Sequence, residues 1–134
     1  MNALVTRTRV LWNAPDARVR AGLFLIALAV YLRTMAPTVL DGDNAEFQYM
    51  AFILGVPHSS GYPLYILLTK LMTFLPIGDV AYRVNLFSVL CAAFAIPMVY
   101  AVAMRVAHAR VPALLATLLF AVTPSVWGSA VEVK

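Results

Sequence analysis

Charged residues are scarce in this sequence: they make up 12% of its 134 residues, whereas 63% of the residues are apolar. A soluble domain averages about 25% charged and roughly 45–50% apolar residues. The chain therefore has too little polar surface to form an ordinary water-soluble globule. Intrinsic disorder is excluded as well, because disordered segments contain few apolar residues.

Several chemical signatures are also missing. The one cysteine, Cys91, excludes a disulfide scaffold. The sequence contains no glycine-rich phosphate loop, no nucleophile elbow and no His-Glu-x-x-His zinc motif. The net charge of +4 does not indicate a nucleic-acid partner, because the basic residues stand at the ends of long apolar runs, as membrane topology requires. We therefore expect an all-α protein embedded in the lipid bilayer, with no nucleic-acid partner.

Three apolar stretches predict transmembrane helices, at residues 21–40, 84–104 and 111–127. At 1.5 Å rise per residue the first stretch is about 30 Å long, which matches the hydrocarbon thickness of a bilayer. A secretory signal peptide is the competing interpretation of this stretch. The residues that follow it make a poor cleavage site, which favours an uncleaved helix.

The basic residues predict how these helices are oriented. The tail at 1–20 and the turn at 105–110 are short and rich in arginine, so the positive-inside rule places both in the cytoplasm. The loop at 41–83 and the start of a second outer loop at 128–134 then lie outside. We expect a multi-pass integral protein of the plasma membrane in a bacterium, or of the endoplasmic reticulum membrane in a eukaryote.

The predicted outer loop at 41–83 is too apolar for a solvated loop. Within 44–54, apolar residues recur at i, i+3, i+4 and i+7, which predicts a short helix that Gly55 ends. The apolar run at 64–75 is too short to cross a bilayer, and Pro63 suits the first turn of a helix there. We predict two short amphipathic helices at the outer membrane surface, joined by a turn.

The segment Asp41-Gly-Asp-Asn-Ala-Glu46 places three carboxylates just after the first predicted span. One interpretation is structural: Asp43 is the N-cap of the helix, and Glu46 completes a capping box three residues later. The other is functional: the cluster acts as a general base, or holds a divalent metal beside a phosphate. The two interpretations are compatible, because a capping carboxylate can still face a cavity.

Four further residues are candidates for the site. Three of them have both a structural and a functional interpretation, and the fourth has no motif around it. His58, in the turn between the predicted surface helices, is either solvated or a proton relay or phosphate contact near Asp43. No second histidine or cysteine with ligand spacing is near it, so we expect no dedicated zinc site. Arg33 and Arg83 either snorkel to the headgroups or contact a lipid phosphate. Glu132 is a single acid after the last predicted span.

Three segments of the chain stand out together: Tyr31 to Gln48, His58-Ser-Ser-Gly-Tyr-Pro-Leu-Tyr65, and Pro124 to Val133, where an acid follows a tryptophan. In this order they resemble segments of a family of multi-pass membrane proteins that are protein O-mannosyltransferase-like. The second resembles the family's His-Pro-Pro-Gly-Tyr-Pro-Leu-Tyr segment. Because family members are much longer, the resemblance implies that this chain is the N-terminal part of such a protein.

The resemblance implies a glycosyltransferase of the GT-C class. Such an enzyme moves a sugar, here a mannose-like hexose, from a polyprenyl-phosphate donor to an acceptor protein or glycan outside the membrane. By position, Asp43 would be the catalytic base that acts on the acceptor hydroxyl, and Glu46 would support it or contact the acceptor. The residues that would bind substrate are Asp41, His58, Arg33, Arg83 and Glu132.

Two other interpretations remain open. In one, the chain is a non-catalytic membrane fragment or accessory subunit whose acids only cap helices. In the other, it is a small transporter or channel subunit. The second is less favoured, because transporters place polar groups in mid-membrane, whereas the interiors of the three predicted spans are apolar.

Overall fold

The described part of the chain, residues 14–59 and 61–132 of a computed structural model, consists of six helices and contains no strand. Residues 1–13 of the predicted tail, Ser60 in the predicted turn, and residues 133–134 lie outside the described residues. The all-α prediction is confirmed. The helices are α1 (Ala14–Thr34), α2 (Asp43–Ile53), α3 (Pro63–Met72), α4 (Val80–Ala107), α5 (Arg110–Ala121) and α6 (Pro124–Val131).

The long helix α4 is the centre of the fold, and every other helix packs against it. It begins after Asp79, whose carboxylate accepts the backbone N–H of Tyr82 at 2.7 Å and so caps the helix. Its buried side chains recur every three or four residues, which places them on one face toward α1. The core between these two helices contains Leu23, Ala27 and Tyr31 of α1, Met35 just after it, and Val89, Ala93, Ile96 and Tyr100 of α4.

Helix α4 is also long and apolar enough to cross a membrane, and it contains the whole of the predicted span at 84–104. By length and composition the described residues hold one such helix, or two if α5 and α6 together form one bent span. The prediction of three spans is therefore not confirmed. Helix α1 begins inside the predicted basic tail and ends at Thr34 instead of residue 40, so that charged side chains occupy both of its ends.

The predicted span at 111–127 is not one straight helix. Helix α5 ends at Ala121, α6 begins at Pro124, and the two helices differ in direction by 58°. Pro124 has no N–H and disfavours the helical conformation in the residue before it, and Thr123 indeed adopts φ −59° and ψ 132°. Helix α6 then continues beyond residue 127 to Val131.

The two short helices predicted within 41–83 are present as α2 and α3. Helix α2 ends at Ile53, and Leu54 adopts a left-handed conformation, after which the Gly55 N–H donates to the Met50 carbonyl at 2.9 Å. Helix α3 begins at Pro63, as predicted. Both helices pack against α4 and against each other.

A chain of buried amides fixes how α2 joins α4. The Gln48 side-chain amide donates to Asn85 Oδ1 at 3.0 Å, and the Asn85 amide donates to the Ala36 carbonyl at 3.0 Å. Gln48 is 3% exposed and Asn85 is fully buried. The Ala36 N–H donates in turn to the Val131 carbonyl at 3.1 Å. Because a buried amide without a partner is costly, these bonds favour one position of the segment between α1 and α2.

We expect Asn85→Leu to lower the free energy of unfolding by about 1–3 kcal/mol, because it leaves the buried Gln48 amide and the Ala36 carbonyl without their partner. Thermal unfolding in detergent, followed by circular dichroism, measures the change. Ser125→Ala, at an exposed position of α6, is the control and should leave the midpoint unchanged. Equal midpoints for Asn85→Leu and the unmodified protein would contradict the role of this amide.

Candidate functional site

The candidate site lies where α2 begins. Gly42 occupies the N-cap position with a φ of +65°, a conformation that glycine adopts at little cost, and Asp43 is the first helical residue. The N-cap interpretation of Asp43 is therefore wrong. The capping-box interpretation of Glu46 is wrong as well, because its carboxylate turns to the loop that follows α2. Both acids lie in the first turn of α2, where the helix dipole favours negative charge.

Glu46 holds His58 by two hydrogen bonds. Its Oε2 lies 2.6 Å from Nδ1 of the imidazole, and its Oε1 accepts the backbone N–H of His58 at 2.8 Å. The bond from the imidazole, followed by the bond from the backbone, lowers the pKa of Glu46. The same side-chain bond raises the pKa of His58, and the charges of Glu46 and Asp43 add to this effect. The contact fastens the loop to the first turn of α2.

Asp43, Glu46 and His58 form a group of three potential ligands. One ligand atom from each lies within 4.8 Å of the others. Carboxylate oxygens and imidazole nitrogens bind divalent cations, so the group offers a suitable donor set. A cation would compete with the existing bond between Glu46 and His58. The prediction that there is no dedicated zinc site stays a prediction.

A pocket of about 320 Å³ opens beside this group. Asp43 places its exposed carboxylate at this pocket. Asn44 Oδ1 is buried, and it has no hydrogen-bond partner among the described residues. Such an atom calls for a partner, which a bound ligand can provide. The pocket is lined by Asp43, Asn44, Phe47, His58 and Tyr62.

An aromatic cluster forms the apolar side of the pocket. Phe47, which is 3% exposed, lies at its centre. The ring of Phe47 makes edge-to-face contacts with His58 at 5.7 Å, Tyr62 at 5.1 Å and Tyr65 at 5.8 Å between ring centres. Tyr65 extends the cluster to Phe87 of α4 at 5.7 Å. The sequence pattern places Phe47 only on the apolar face of a helix and indicates no role for Tyr62 or Tyr65.

The backbone just before α3 holds Tyr62 in an unfavourable conformation. Gly61 has a φ of +65°, and Tyr62 follows it with a φ of +41° and a ψ of 52°. Glycine tolerates a positive φ, whereas a tyrosine adopts it only where the surrounding structure holds it there. Strained residues of this kind cluster at ligand-binding sites. The strained residue Tyr62 therefore lies in the pocket lining itself.

The pocket lining does not include five of the seven predicted site residues: Glu46, which reaches the site through its bonds to His58, and four others. Arg83 donates instead to three backbone carbonyls between α3 and α4, at 2.6, 2.8 and 2.9 Å, and so holds that loop. Arg33 is exposed in the last turn of α1, and Asp41 is exposed before α2. Glu132 follows α6, and its N–H donates to the Gly128 carbonyl at 3.0 Å. The structure thus brings together Asp43, Glu46 and His58 alone among the predicted set.

The chain is similar to known proteins in its sequence. A family model, described as the N-terminal domain of protein O-mannosyl-transferase TMEM260, matches residues 43–134. The chain is 33% identical over 117 residues to protein O-mannosyl-transferase TMEM260 of Mus musculus. This alignment covers 87% of the chain but 17% of the mouse protein. No solved structure matches the chain.

We expect the imidazole of His58 to titrate above its ordinary pKa of 6.5, and Glu46→Gln to lower that pKa. The contribution of His58 to stability is complete below pH 6.5 and is lost as the pH rises through its raised pKa. The contribution of Glu46 is present above pH 4.5 and is lost as the pH falls through its lowered pKa. The contact is therefore strongest between these two limits.

Histidine NMR titration measures this effect directly. An unchanged His58 titration in the Glu46→Gln variant would show that the contact is absent in solution.

Proposed function

This chain belongs to the protein O-mannosyl-transferase TMEM260 family, and from that premise we propose that it carries the catalytic base of a membrane glycosyltransferase. The proposed reaction moves a mannose-like hexose from a polyprenyl-phosphate donor to a hydroxyl of an acceptor protein or glycan outside the membrane. The observation that supports the proposal best is the exposed Asp43 carboxylate in a pocket with one aromatic side.

Asp43 is the general base in this proposal. It lines the pocket and is exposed, so an acceptor hydroxyl can approach its carboxylate directly. The carboxylate takes the hydroxyl proton while the hydroxyl oxygen forms a bond to the anomeric carbon of the sugar. The bond between that carbon and the phosphate oxygen breaks, and the polyprenyl phosphate leaves with the bonding electrons. The configuration at the anomeric carbon inverts.

Glu46 and His58 have supporting roles. Both oxygens of Glu46 are used by His58, so Glu46 is a positioning residue that holds one wall of the pocket. The raised pKa of His58 keeps its imidazole protonated to higher pH. A protonated imidazole suits a contact to the donor phosphate better than the removal of a proton.

The remaining pocket residues suit a sugar ring. Carbohydrate-sized ligands bind in concave sites with aromatic walls and a few polar groups that fix orientation. Phe47 and Tyr62 provide the aromatic walls. The buried Oδ1 of Asn44, which lacks a partner among the described residues, accepts a hydrogen bond from a sugar hydroxyl in this proposal.

The leaving phosphate requires a cation, and Arg33 is the better of the two predicted candidates. The guanidinium of Arg83 is already bound to three carbonyls.

The chain spans 17% of the length of the mouse relative. We therefore propose the complete active site and the multi-pass topology for a longer protein of which this chain is a part.

The alternative of a non-catalytic fragment has lost its main structural support. It held that the acids serve only as helix caps, whereas Gly42 occupies the N-cap of α2 and Glu46 binds His58. The aromatic pocket beside Asp43 and the strained Tyr62 that lines it both suit a bound ligand.

We expect Asp43→Asn in the full-length protein to lower the rate of sugar transfer by about 100-fold or more, because an amide cannot accept the proton. The assay uses membranes that contain the protein, a synthetic polyprenyl-phosphate mannose and an acceptor peptide. Asp41→Asn is the matched variant, since Asp41 is an exposed carboxylate two positions earlier that does not line the pocket. It should retain much more activity.

Two results would reject the assignment. One is full transfer by Asp43→Asn at a matched amount of folded protein. The other is an equal loss of activity in the Asp43→Asn and Asp41→Asn variants, which would show a general effect of negative charge before α2.

A further inference from the structure

A groove of about 530 Å³ runs between the first half of α1 and the second half of α4. We call it the α1–α4 groove, and the residues used to describe it are Arg20, Phe24, Phe94, Met98 and Arg105. Arg105 lies 20 positions after Asn85, which corresponds to roughly 30 Å along α4. The groove is therefore remote from the pocket at the start of α2.

The groove is apolar along most of its length and cationic at one end. Phe24 and Phe94, whose ring centres are 4.7 Å apart, are two of its apolar residues. Arg105 lies 11 positions after Phe94, so the apolar part extends for about 16 Å along α4 before the cation. Met98 and Phe94 are among the exposed large apolar side chains, and such a surface on a membrane protein requires an apolar cover.

Two arginines converge at the cationic end, one from each helix. The Nε of Arg20 donates to the Asp16 carbonyl at 3.4 Å. Asp16 is the acidic residue closest to Arg20 in the sequence, but it does not line the groove. Its carboxylate lies 3.3 Å from Nη2 of Arg110. The carboxylate of Asp16 is therefore paired with Arg110, and the two charged residues that line the groove, Arg20 and Arg105, are both cationic.

We propose that the α1–α4 groove binds one anionic phospholipid of the bilayer. The acyl chain lies along the apolar part, and the phosphate lies between Arg20 and Arg105. Guanidinium groups bind phosphate oxygens with two parallel hydrogen bonds, and basic pockets between membrane helices bind anionic headgroups. A small soluble anion would use the arginines and leave the apolar part uncovered. A lipid covers the apolar part with its acyl chain and binds the arginines with its phosphate. By the positive-inside rule, the cationic end of the groove lies in the cytoplasmic leaflet.

The test compares phosphatidylglycerol with phosphatidylcholine of identical acyl chains. Binding to the full-length protein in detergent is measured by native mass spectrometry. We expect phosphatidylglycerol to bind more tightly, and Arg20→Gln and Arg105→Gln each to weaken it about fivefold, which is the effect of one basic residue at an anionic membrane surface. Phosphatidylcholine should respond much less. Arg18→Gln is the matched control, since Arg18 is an exposed arginine of the same helix end outside the groove.

A second variant tests the apolar part independently of charge. Ala21 is exposed and lines the groove, so Ala21→Trp fills it without disturbing the core. It should weaken the binding of both lipids, while the circular dichroism spectrum and the unfolding midpoint stay the same. Unchanged binding of both lipids in this variant would overturn the proposal.

A photo-crosslinking experiment distinguishes a lipid from a protein helix as the occupant. Met98→p-benzoylphenylalanine places the reactive group in the groove of the full-length protein in native membranes. Capture of phospholipid supports the proposal. Capture of a protein segment would overturn it, as would equal affinity for the two lipids or an unchanged affinity in the Arg20→Gln, Arg105→Gln double variant.

Discussion

The buried bond between the Gln48 and Asn85 amides determines where the candidate site lies. Gln48 follows Phe47 directly in α2, so its attachment to α4 also fixes the rotation of α2 about its own axis. Asp43 stands one helical turn before Phe47 and shares its side of the helix. The amide pair therefore helps to hold the carboxylate, the aromatic cluster and the pocket in position, together with the apolar packing of Phe47 and Ala51 against Ile66 and Val84. An apolar pair would hold the two helices together without selecting one register.

Local signals in the sequence account for most of the helices. The apolar spacing within 44–54, together with Gly55, predicted α2 to within a residue at each end, and Pro63 predicted the start of α3. These signals act within one turn of the backbone and do not depend on distant parts of the chain. Pro124 carried a similar signal for the break between α5 and α6, but the continuous apolar composition of 111–127 concealed it.

The contacts that build the site are not local. Glu46 fits the pattern of a capping box, yet it binds His58, 12 positions later, because the packing of α2 and α3 brings the loop back to the helix start. The roles of Asn85 and Arg83 depend in the same way on partners in other elements. Sequence patterns identified Asp43, Glu46 and His58 as candidates, but only the folded chain shows that the three share one site while Arg33, Asp41 and Glu132 do not line its pocket.

The break between α5 and α6 has a consequence for the path of the polypeptide. The Tyr31 hydroxyl donates to the Ala121 carbonyl at 2.8 Å, so a side chain of α1 satisfies a backbone group at the end of α5. Helix α6 then turns toward α1, and Val131 is joined to Ala36 at the exit of that helix. The chain thus leaves α6 next to the stretch of backbone that leads into Asp43. A straight α5–α6 helix would carry Val131 away from Ala36, and the entrance to α2 would lose this backbone bond.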